Sequence, residues 1–414
     1  MGPWNNPNLP KNQGTANGVY RFPRTPTILT TKILTGMGSI GFLVDGVSIY
    51  NTSDGFSYSY ANSKDASPVA GIGPGDGIWN RDAWPNEKIS FDYALNHPQP
   101  SGQYHAHVTA IGVRYLLGDN VLYNDSTKQY SENTGTTVFQ HSPIIGWVND
   151  GLPLYGPYGY SDPLDTGSPV RRMISGYVLR DGSYGTVNLT SSGRTSLPKW
   201  AQQSQGKTNP LTATQYGPSV STTYELGHFS EDYDYLGDLG YTQGSNSTAN
   251  GSTILFDLNQ YNVRYCKTPE YPNGTWAYFT TIKADGAPWY PYNVGRAYFG
   301  SPTGGASTTS VMNVETSLTL YYKGSTSTVE TWTANPVSLS GNTVTLSWNA
   351  VEGGTYQVSA LTDLAGSTWT SISGAVTPNG NIATKTENVD TTATPRKFYK
   401  LTRTGMATYD SLGY

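Results

Sequence analysis

The chain has 414 residues, of which only 13% are charged, and its formal net charge is −4. This length suits two or three domains. The weak negative charge excludes the basic surface that nucleic acid or an anionic membrane would need, so we expect neither partner. The apolar runs fall short of the roughly 20 residues of a membrane helix, which predicts that no segment spans a membrane.

The residue composition predicts a mostly β protein. The chain contains 32 Tyr and 47 Gly, and aromatic residues favour strands while glycine serves tight turns. Low charge together with many Tyr, Gly, Asn and Thr residues is typical of extracellular proteins. The polar start, residues 1–4 (MGPW), holds no signal peptide. We therefore expect the mature or recombinant form of a protein that is secreted or lies at the cell surface.

In chain order, residues 1–28 form a Pro/Asn-rich arm, and residues 29–300 form one large domain dense in aromatics and turns. Residues 301–328 are predicted to be a linker and a connecting strand, because they begin with the small, polar run SPTGGASTTS. Residues 329–405 are predicted to be a β-sandwich, and residues 406–414 a tail.

The predicted sandwich rests on clean strand patterns near the end of the chain. In residues 342–348 (NTVTLSW) every second residue is apolar, and Tyr356, Val358 and Ala360 repeat that period. Short alternating strands at about 10-residue spacing predict an immunoglobulin-like or fibronectin-like sandwich. Trp348 would lie in its core.

The large domain contains internal repetition. Residues 40–50 (IGFLVDGVSIY) align without a gap on residues 145–155 (IGWVNDGLPLY), and residues 285–290 (DGAPWY) are a shorter copy. Each contains an Asp-Gly pair, a strong hairpin-turn signal, because glycine accepts positive φ without steric cost. The repeats therefore predict strand–turn–strand units.

A second pair of segments also aligns: residues 100–107 (PSGQYHAH) on residues 272–279 (PNGTWAYF). Ala277 and Phe279 stand where the first copy has His105 and His107. One interpretation is shared hairpin chemistry. The other is an old duplication of which only one half keeps its imidazoles.

The histidines are the strongest candidates for a functional site. His105 and His107 are two apart in a predicted strand, so both side chains point to the same face, with Cα atoms about 6–7 Å apart. That separation suits two nitrogens at about 2.0–2.1 Å from one metal ion. His97 precedes a Pro-x-Pro turn and could fold back as a third ligand. Imidazole ligands favour copper or zinc.

Other interpretations stay open at this stage. His105 and His107 could be half-buried strand residues bonded to carbonyls and tyrosine hydroxyls. His228 is a further candidate metal ligand, and His141 a possible one. The acidic run after His228 offers second-shell groups or alternative oxygen ligands, and it leaves calcium possible although it does not match a calcium-loop motif. Its candidate residues are Glu231, Asp232 and Asp234.

Several motifs, in this order, resemble the signature of the YHYH-domain family of secreted proteins. They are residues 97–107 (HPQPSGQYHAH), 141–146 (HSPIIG), 150–159 (DGLPLYGPYG), 227–233 (GHFSEDY), 269–275 (PEYPNGT) and 292–296 (YNVGR). The resemblance covers about residues 30–300 and implies a secreted domain, without an established reaction. Ala106 departs from the name-giving motif, which has Tyr there. On a strand, Tyr104 and Ala106 would face away from the histidines, so the departure should spare the His pair.

Three functions fit these observations. The first is an extracellular surface, adhesive or filament-forming structural protein that self-associates and whose metal ion is structural. The second is a secreted protein that handles copper or zinc. The third is a metal-dependent secreted enzyme, for which Glu231 or Asp232 would be the general base. We favour the first, because low charge, Tyr/Gly/Thr richness, the Pro/Asn-rich arm and the appended sandwich suit a structural subunit. The chain also lacks a serine-hydrolase elbow and a nucleotide-binding motif, and we predict no catalytic residue.

Overall fold

The computed structural model describes residues 20–67, 70–99, 102–136, 138–306, 337–350, 354–363, 368–377, 382–393 and 396–406. Over these residues the chain is mostly β, with short helices, as its composition predicts. Contacts divide the chain into two units, Met1–Met312 and Asn313–Tyr414. Most of the predicted arm, linker and tail lies outside the described residues.

The first unit consists of many short strands and four short helices among the residues described. Its strands are β1 (Tyr20–Arg21), β2 (Gly41–Leu43), β3 (Ser48–Ile49), β4 (Ser53–Ser59), β5 (Lys64–Asp65), β6 (Asn80–Asp82), β7 (His97–Pro98), β8 (Tyr104–Ala106), β9 (Val121–Asn124), β10 (Gln129–Glu132), β11 (Ile144–Val148), β12 (Pro153–Tyr155), β13 (Tyr158–Tyr160), β14 (Val170–Arg172), β15 (Tyr177–Leu179), β16 (Tyr233–Tyr235), β17 (Ser247–Ala249), β18 (Ser252–Ile254), β19 (Val263–Cys266), β20 (Thr275–Phe279) and β21 (Gly305–Ala306). Its helices are α1 (Ala83–Glu87), α2 (Ile111–Leu116), α3 (Leu189–Ser192) and α4 (Lys199–Gln205). Single 3-10 turns lie at Lys88–Ser90, Ser183–Gly185, Ala213–Gln215, Ser230–Asp232 and Leu236–Leu239.

One sheet organises the first unit. Within the described residues its eight strands follow the order β19-β20-β12-β11-β2-β3-β8-β7. In the hairpin β2–β3, strand β3 pairs in parallel with β8, and β8 pairs antiparallel with β7. In the same way, strand β12 of the hairpin β11–β12 pairs in parallel with β20, and β20 pairs antiparallel with β19. The sheet thus repeats one four-strand pattern on either side of its centre, as the aligned motifs predict.

The centre of the sheet has a pseudo-twofold relation, where β2 pairs with β11. The amide of Val44 donates to Ile145 O at 2.9 Å, and the amide of Asn149 donates to Ile40 O at 2.8 Å. These two bonds exchange when residues 40–50 are superposed on residues 145–155, so the repeat in sequence is a repeat in hydrogen bonding.

The faces of the sheet are covered by apolar side chains. One core cluster takes matching residues from both halves, including Ile49 with Leu154 and Ala106 with Tyr278, all at most 3% exposed. Burying such side chains stabilises the fold by about 1.5–3 kcal/mol each. A second, aromatic cluster contains Trp79, Trp200 and Phe229 and packs under the long connections.

Part of the predicted arm packs on this unit. Tyr20 and Arg21 form β1, which pairs with Gly305–Ala306. The ring centroid of Tyr20 lies 3.7 Å from that of Phe42. The end of the arm is therefore held by a strand pair and by the contacts of Tyr20 and Phe22 with Phe42.

The second unit contains two three-stranded antiparallel sheets over its described residues, ordered β22-β23-β26 and β25-β24-β27. Their strands are β22 (Ser338–Ser340), β23 (Thr343–Asn349), β24 (Gly354–Leu361), β25 (Thr370–Ser371), β26 (Ile382–Asn388) and β27 (Phe398–Met406). Trp348 of one sheet and Tyr356 of the other are buried in one cluster, with ring centroids 5.7 Å apart. This arrangement agrees with a sandwich, and its immunoglobulin-like nature stays a prediction.

None of the helices in the described ranges is both long and apolar enough to cross a membrane.

Candidate metal centre

Strand pairing brings three histidines together at the edge of the main sheet. His97 of β7 lies directly opposite His105 of β8, and His107 follows β8 by one residue. Antiparallel pairing places opposite side chains on the same face, and the i, i+2 spacing adds the third imidazole to that face. Together they form the three-histidine cluster, all three side chains being buried and offering nitrogens within 4.8 Å of one another.

The tautomer of His97 is fixed by a serine. Ser90 Oγ donates a hydrogen bond to Glu87 O at 2.7 Å. The same oxygen lies 2.7 Å from His97 Nδ1 and so accepts the Nδ1 proton. A neutral imidazole protonated at Nδ1 has a free electron pair at Nε2. His97 Nε2 is buried and has no hydrogen-bond partner among the described residues.

The other two tautomers are fixed by backbone carbonyls. His105 Nδ1 lies 3.1 Å from Gln103 O, and His107 Nδ1 lies 2.6 Å from Asn51 O. A carbonyl oxygen only accepts hydrogen bonds, so each Nδ1 carries the proton and each Nε2 keeps an electron pair. This outward anchoring of Nδ1 is the usual support of histidines that bind metals.

The free nitrogens face one another. His105 Nε2 and His107 Nε2 are 3.0 Å apart, and two nitrogens at about 2.0–2.1 Å from one ion can be separated by at most about 4.2 Å. Without a cation or proton between them, two electron pairs at this distance repel each other. The contact therefore fits a shared cation.

The alternative, a second proton on one of these rings, is disfavoured by burial. Burial, followed by the charge of His107, lowers the pKa of His97 to about 3, and burial lowers the pKa of His107 to about 4. The pKa of His105 is also held well below its usual value, first by burial and then by its neighbouring imidazoles. The three rings are thus neutral near pH 7 and ready to donate electron pairs.

A carboxylate completes the surroundings of the cluster. Glu87, the last residue of α1, places Oε2 at 3.2 Å from His107 Nε2 and 3.5 Å from His97 Nε2. This oxygen is buried without a hydrogen-bond donor among the described residues, although 26% of the side chain is exposed. Burial raises the pKa of Glu87 well above its usual value. The Glu87 side chain is the most exposed of the four, and a cation bound by the histidines would stabilise its charged form.

Aromatic rings form the walls of the cluster. The ring of Tyr50 stacks on His105 with centroids 3.9 Å apart, and its hydroxyl donates to Gln103 Oε1. The ring of Phe91 meets His97 edge-on at 4.5 Å. These contacts fix the imidazole planes and lower the local dielectric constant. Behind them, Ala106 lies fully buried in the core, on the opposite face of β8, as the alternation of a strand predicts.

The structure places the remaining histidines elsewhere. His228 Nε2 lies 2.7 Å from Asp65 Oδ2, within hydrogen-bond distance, so this nitrogen is already occupied. His141 Nδ1 donates to Ser142 O, and its ring lies against Tyr160, with centroids 4.8 Å apart. Neither is part of the three-histidine cluster, which is the one such group found among the described residues.

The acidic candidates have structural partners. Asp232 forms a buried ion pair with Arg194, and Asp234 lies 3.5 Å from Arg180 Nε. The carboxylate of Glu231 accepts from the amide of Asn80 at 2.7 Å and from the Asn80 side chain at 2.7 Å. These carboxylates serve the packing of the long connections rather than the cluster.

Four groups that hold or face the imidazoles were not identified from the sequence: Glu87, Ser90 and the carbonyls of Asn51 and Gln103. Their only sequence signal is that Glu87 and Ser90 precede His97 by ten and seven residues. Such a spacing has no fixed geometry across a helix end and a turn.

The comparison with protein families gives a match over the region that contains the three-histidine cluster. The family model of the YHYH protein matches residues 19–294, more than half of the chain. The chain belongs to the YHYH protein family. The matched region of this YHYH protein includes all five histidines. The comparisons with curated proteins and with solved structures found no match.

Proposed function

We propose that this YHYH protein is an extracellular structural protein that binds one transition-metal ion through His97, His105 and His107. The observation that carries the proposal is the 3.0 Å approach of two unprotonated nitrogens, His105 Nε2 and His107 Nε2. Their protons are held on the far side of each ring by carbonyl oxygens. A cation at the convergence point satisfies both electron pairs, and burial makes the bond strong.

The donor set favours zinc or copper. Three imidazole nitrogens with one nearby carboxylate oxygen form a borderline-soft set, which suits these ions more than calcium or magnesium. Glu87 would supply the fourth donor, or hold a water molecule that does. A calcium site in the segment of Glu231 and Asp232 is disfavoured, because those carboxylates already bind Asn80 and Arg194.

Elemental analysis and metal titration test the proposal. We expect about one zinc or copper ion per chain after loading and dialysis, and none in the variant His97→Ala/His105→Ala/His107→Ala. The matched control is His141→Ala, which removes an imidazole outside the cluster and should keep the ion. Equal metal content in the triple variant would refute the assignment, and so would a wild-type protein that holds no ion.

A second function has one specific observation in its favour. The Glu87 side chain is 26% exposed and lies within 3.5 Å of two of the imidazoles, so it could act as the general base of a metal-dependent enzyme in place of the sequence candidates Glu231 and Asp232. The test is hydrolysis of activated esters and phosphoesters by the zinc-loaded protein and by Glu87→Gln. Activity that falls at least about 100-fold in Glu87→Gln while the ion stays bound would support the enzyme, whereas no activity above free zinc would count against it.

Secretion and self-association remain part of the proposal. The low charged fraction, 13%, and the secretion that the family resemblance implies support an extracellular location. Self-association into an adhesive or filamentous assembly is tested by light scattering over a range of protein concentrations. A monomer at every concentration would remove the filament from the proposal and leave metal binding unaffected.

A further inference from the structure

The second half of the sheet carries a permanent cation at the position that corresponds to the three-histidine cluster. In the first half His97 pairs with His105, and at the equivalent place in the second half Arg264 pairs with Ala277. The alignment of residues 100–107 on 272–279 puts Phe279 in the place of His107. Three imidazoles are therefore replaced by a guanidinium, a methyl group and a phenyl ring.

The turns that lead into His97 and Arg264 are also equivalent. The amide of Asp92 donates to Asn96 O, and the amide of Asn259 donates to Val263 O. In both turns the side-chain oxygen of the first residue accepts from the amide two residues later, at 2.9 Å from Ala94 and 2.9 Å from Tyr261.

The same turns share a left-handed residue at the fourth position, Leu95 with φ 64° and Asn262 with φ 69°. Counting back seven residues from His97 and from Arg264 gives Ser90 and Asp257. Ser90 supports His97 through Nδ1. The carboxylate of Asp257 accepts two hydrogen bonds from Arg171, at 2.7 Å and 2.8 Å, and its Oδ1 lies 3.9 Å from Arg264 Nη1. The residue at this position is thus a hydroxyl that is hydrogen-bonded to a neutral ring in the first half, and a carboxylate that lies near the Arg264 cation in the second.

Arg264 is held in the corresponding place by a hydrogen bond to a backbone carbonyl and by a ring contact, while its Nε is buried without a hydrogen-bond partner among the described residues. Its Nη2 donates to Tyr160 O at 2.8 Å, and the guanidinium carbon lies 5.2 Å from the centroid of Phe279. The residue is 3% exposed. A buried cation beside an aromatic ring and a carboxylate is stabilised by both. In this half, the outer strands β19 and β20 therefore hold together without an ion.

From this correspondence we propose that the ion of the three-histidine cluster is a structural counterpart of the Arg264 guanidinium. It locks the outer strands β7 and β8 and the end of α1 onto the sheet. The inference rests on the proposed metal site and assigns its role. Without the ion, the first half buries three facing nitrogens and the Glu87 oxygen with no cation among them, whereas Arg264 supplies a cation in the second half. Removal of the metal should therefore loosen the first half alone.

Hydrogen–deuterium exchange of the intact chain, zinc-loaded and chelator-treated, tests this role. We expect amides of β7, β8 and the turn Lys88–Ser90 to exchange at least about 10-fold faster after the ion is removed. The matched internal control is the pair β19 and β20, whose exchange should stay unchanged. Unchanged protection of β7 and β8 in protein shown to have lost its ion would overturn the structural role while leaving metal binding intact.

A graft of the second-half residues provides the complementary test. The variant Ser90→Asp/His97→Arg/His105→Ala/His107→Phe should bind no zinc, and its midpoint of thermal unfolding should not respond to chelator. That midpoint should exceed the midpoint of His97→Ala/His105→Ala/His107→Ala. A graft variant that is no more stable than the triple alanine variant would contradict the equivalence of ion and guanidinium. A wild-type chain that binds no ion would instead refute the proposed function itself.

Discussion

Arg194 and Asp232 form a two-pronged ion pair inside the YHYH protein. Arg194 Nε donates to Asp232 Oδ1 and Nη2 donates to Oδ2, each at 2.7 Å, and neither side chain is exposed. The same carboxylate accepts from the amide of Gly227, beside His228. The pair therefore fixes the acidic segment that, by sequence alone, resembles part of a metal site.

Replacing Asp232 should lower the free energy of unfolding without releasing the metal ion. Asp232→Ala leaves the Arg194 charge buried and unpaired, which typically costs about 3–5 kcal/mol of unfolding free energy. Chemical denaturation measures that loss, and elemental analysis should find the ion still bound. Asp125→Asn, which breaks an exposed pair with Lys128, is the control and should change stability by less than about 1 kcal/mol. Loss of the ion in folded Asp232→Ala would show that Asp232 supports the centre after all.

The contribution of Glu231 to the stability of the protein should fall between about pH 4.5 and pH 7. Burial, only partly offset by hydrogen bonds from Asn80, raises the pKa of Glu231 from 4.5 to about 7. The folded state thus binds the proton more tightly than the unfolded state. The resulting stabilisation is complete below the unfolded pKa and is lost as pH rises through about 7, on the order of 3 kcal/mol.

Glu231→Gln isolates that contribution, because the amide cannot ionise. Denaturation at several pH values should show the unfolding free energy of the wild type falling relative to the variant across this interval. Burial also raises the pKa of Asp54, to about 6, but that group titrates in both proteins and cancels in the difference. Parallel pH profiles would mean that Glu231 has the same pKa in the folded and the unfolded state.

Ser90→Ala should weaken metal binding without abolishing it. The hydroxyl accepts the Nδ1 proton of His97, and removal of such outer partners typically lowers metal affinity by about 10–100-fold. Competition with a chromophoric chelator measures the dissociation constant. Ser204→Ala, which removes a hydroxyl bonded to Ala201 O in α4, should leave it unchanged. An unaltered affinity in Ser90→Ala would argue against Nε2 coordination by His97.

A side chain at either of the two equivalent glycines in the centre of the sheet should destabilise the protein. A Cβ on Gly41 would lie 2.5 Å from Trp147 O, and one on Gly146 would lie 2.6 Å from Phe42 O. We expect Gly41→Ala and Gly146→Ala each to lower the unfolding free energy by about 1–3 kcal/mol, because backbone rather than a flexible side chain must move. Gly36→Ala is the control, since nothing lies within 4 Å of its Cβ. A loss confined to one of the glycines would show that the two halves are not packed alike.

The sequence alone was sufficient for the parts that depend on local periodicity. Alternation placed His105 and His107 on one face and Ala106 on the other, because successive strand residues point to opposite sides. The gapless alignment of residues 40–50 on 145–155 predicted paired hairpins, because Asp-Gly turns specify strand reversal locally. The family assignment followed from the same motifs.

Long-range partnerships decided the rest. Whether a carboxylate such as Asp232 or Glu87 contacts an arginine or an imidazole depends on which distant segments pack together. The local sequence around a carboxylate does not predict those segments. The sequence by itself determined the β-rich class, the duplicated hairpins and the His105–His107 pair. Only the tertiary structure added Ser90 and Glu87 to His97, and set Arg264 opposite Ala277 in the other half, because pairing across a sheet joins residues that no local pattern connects.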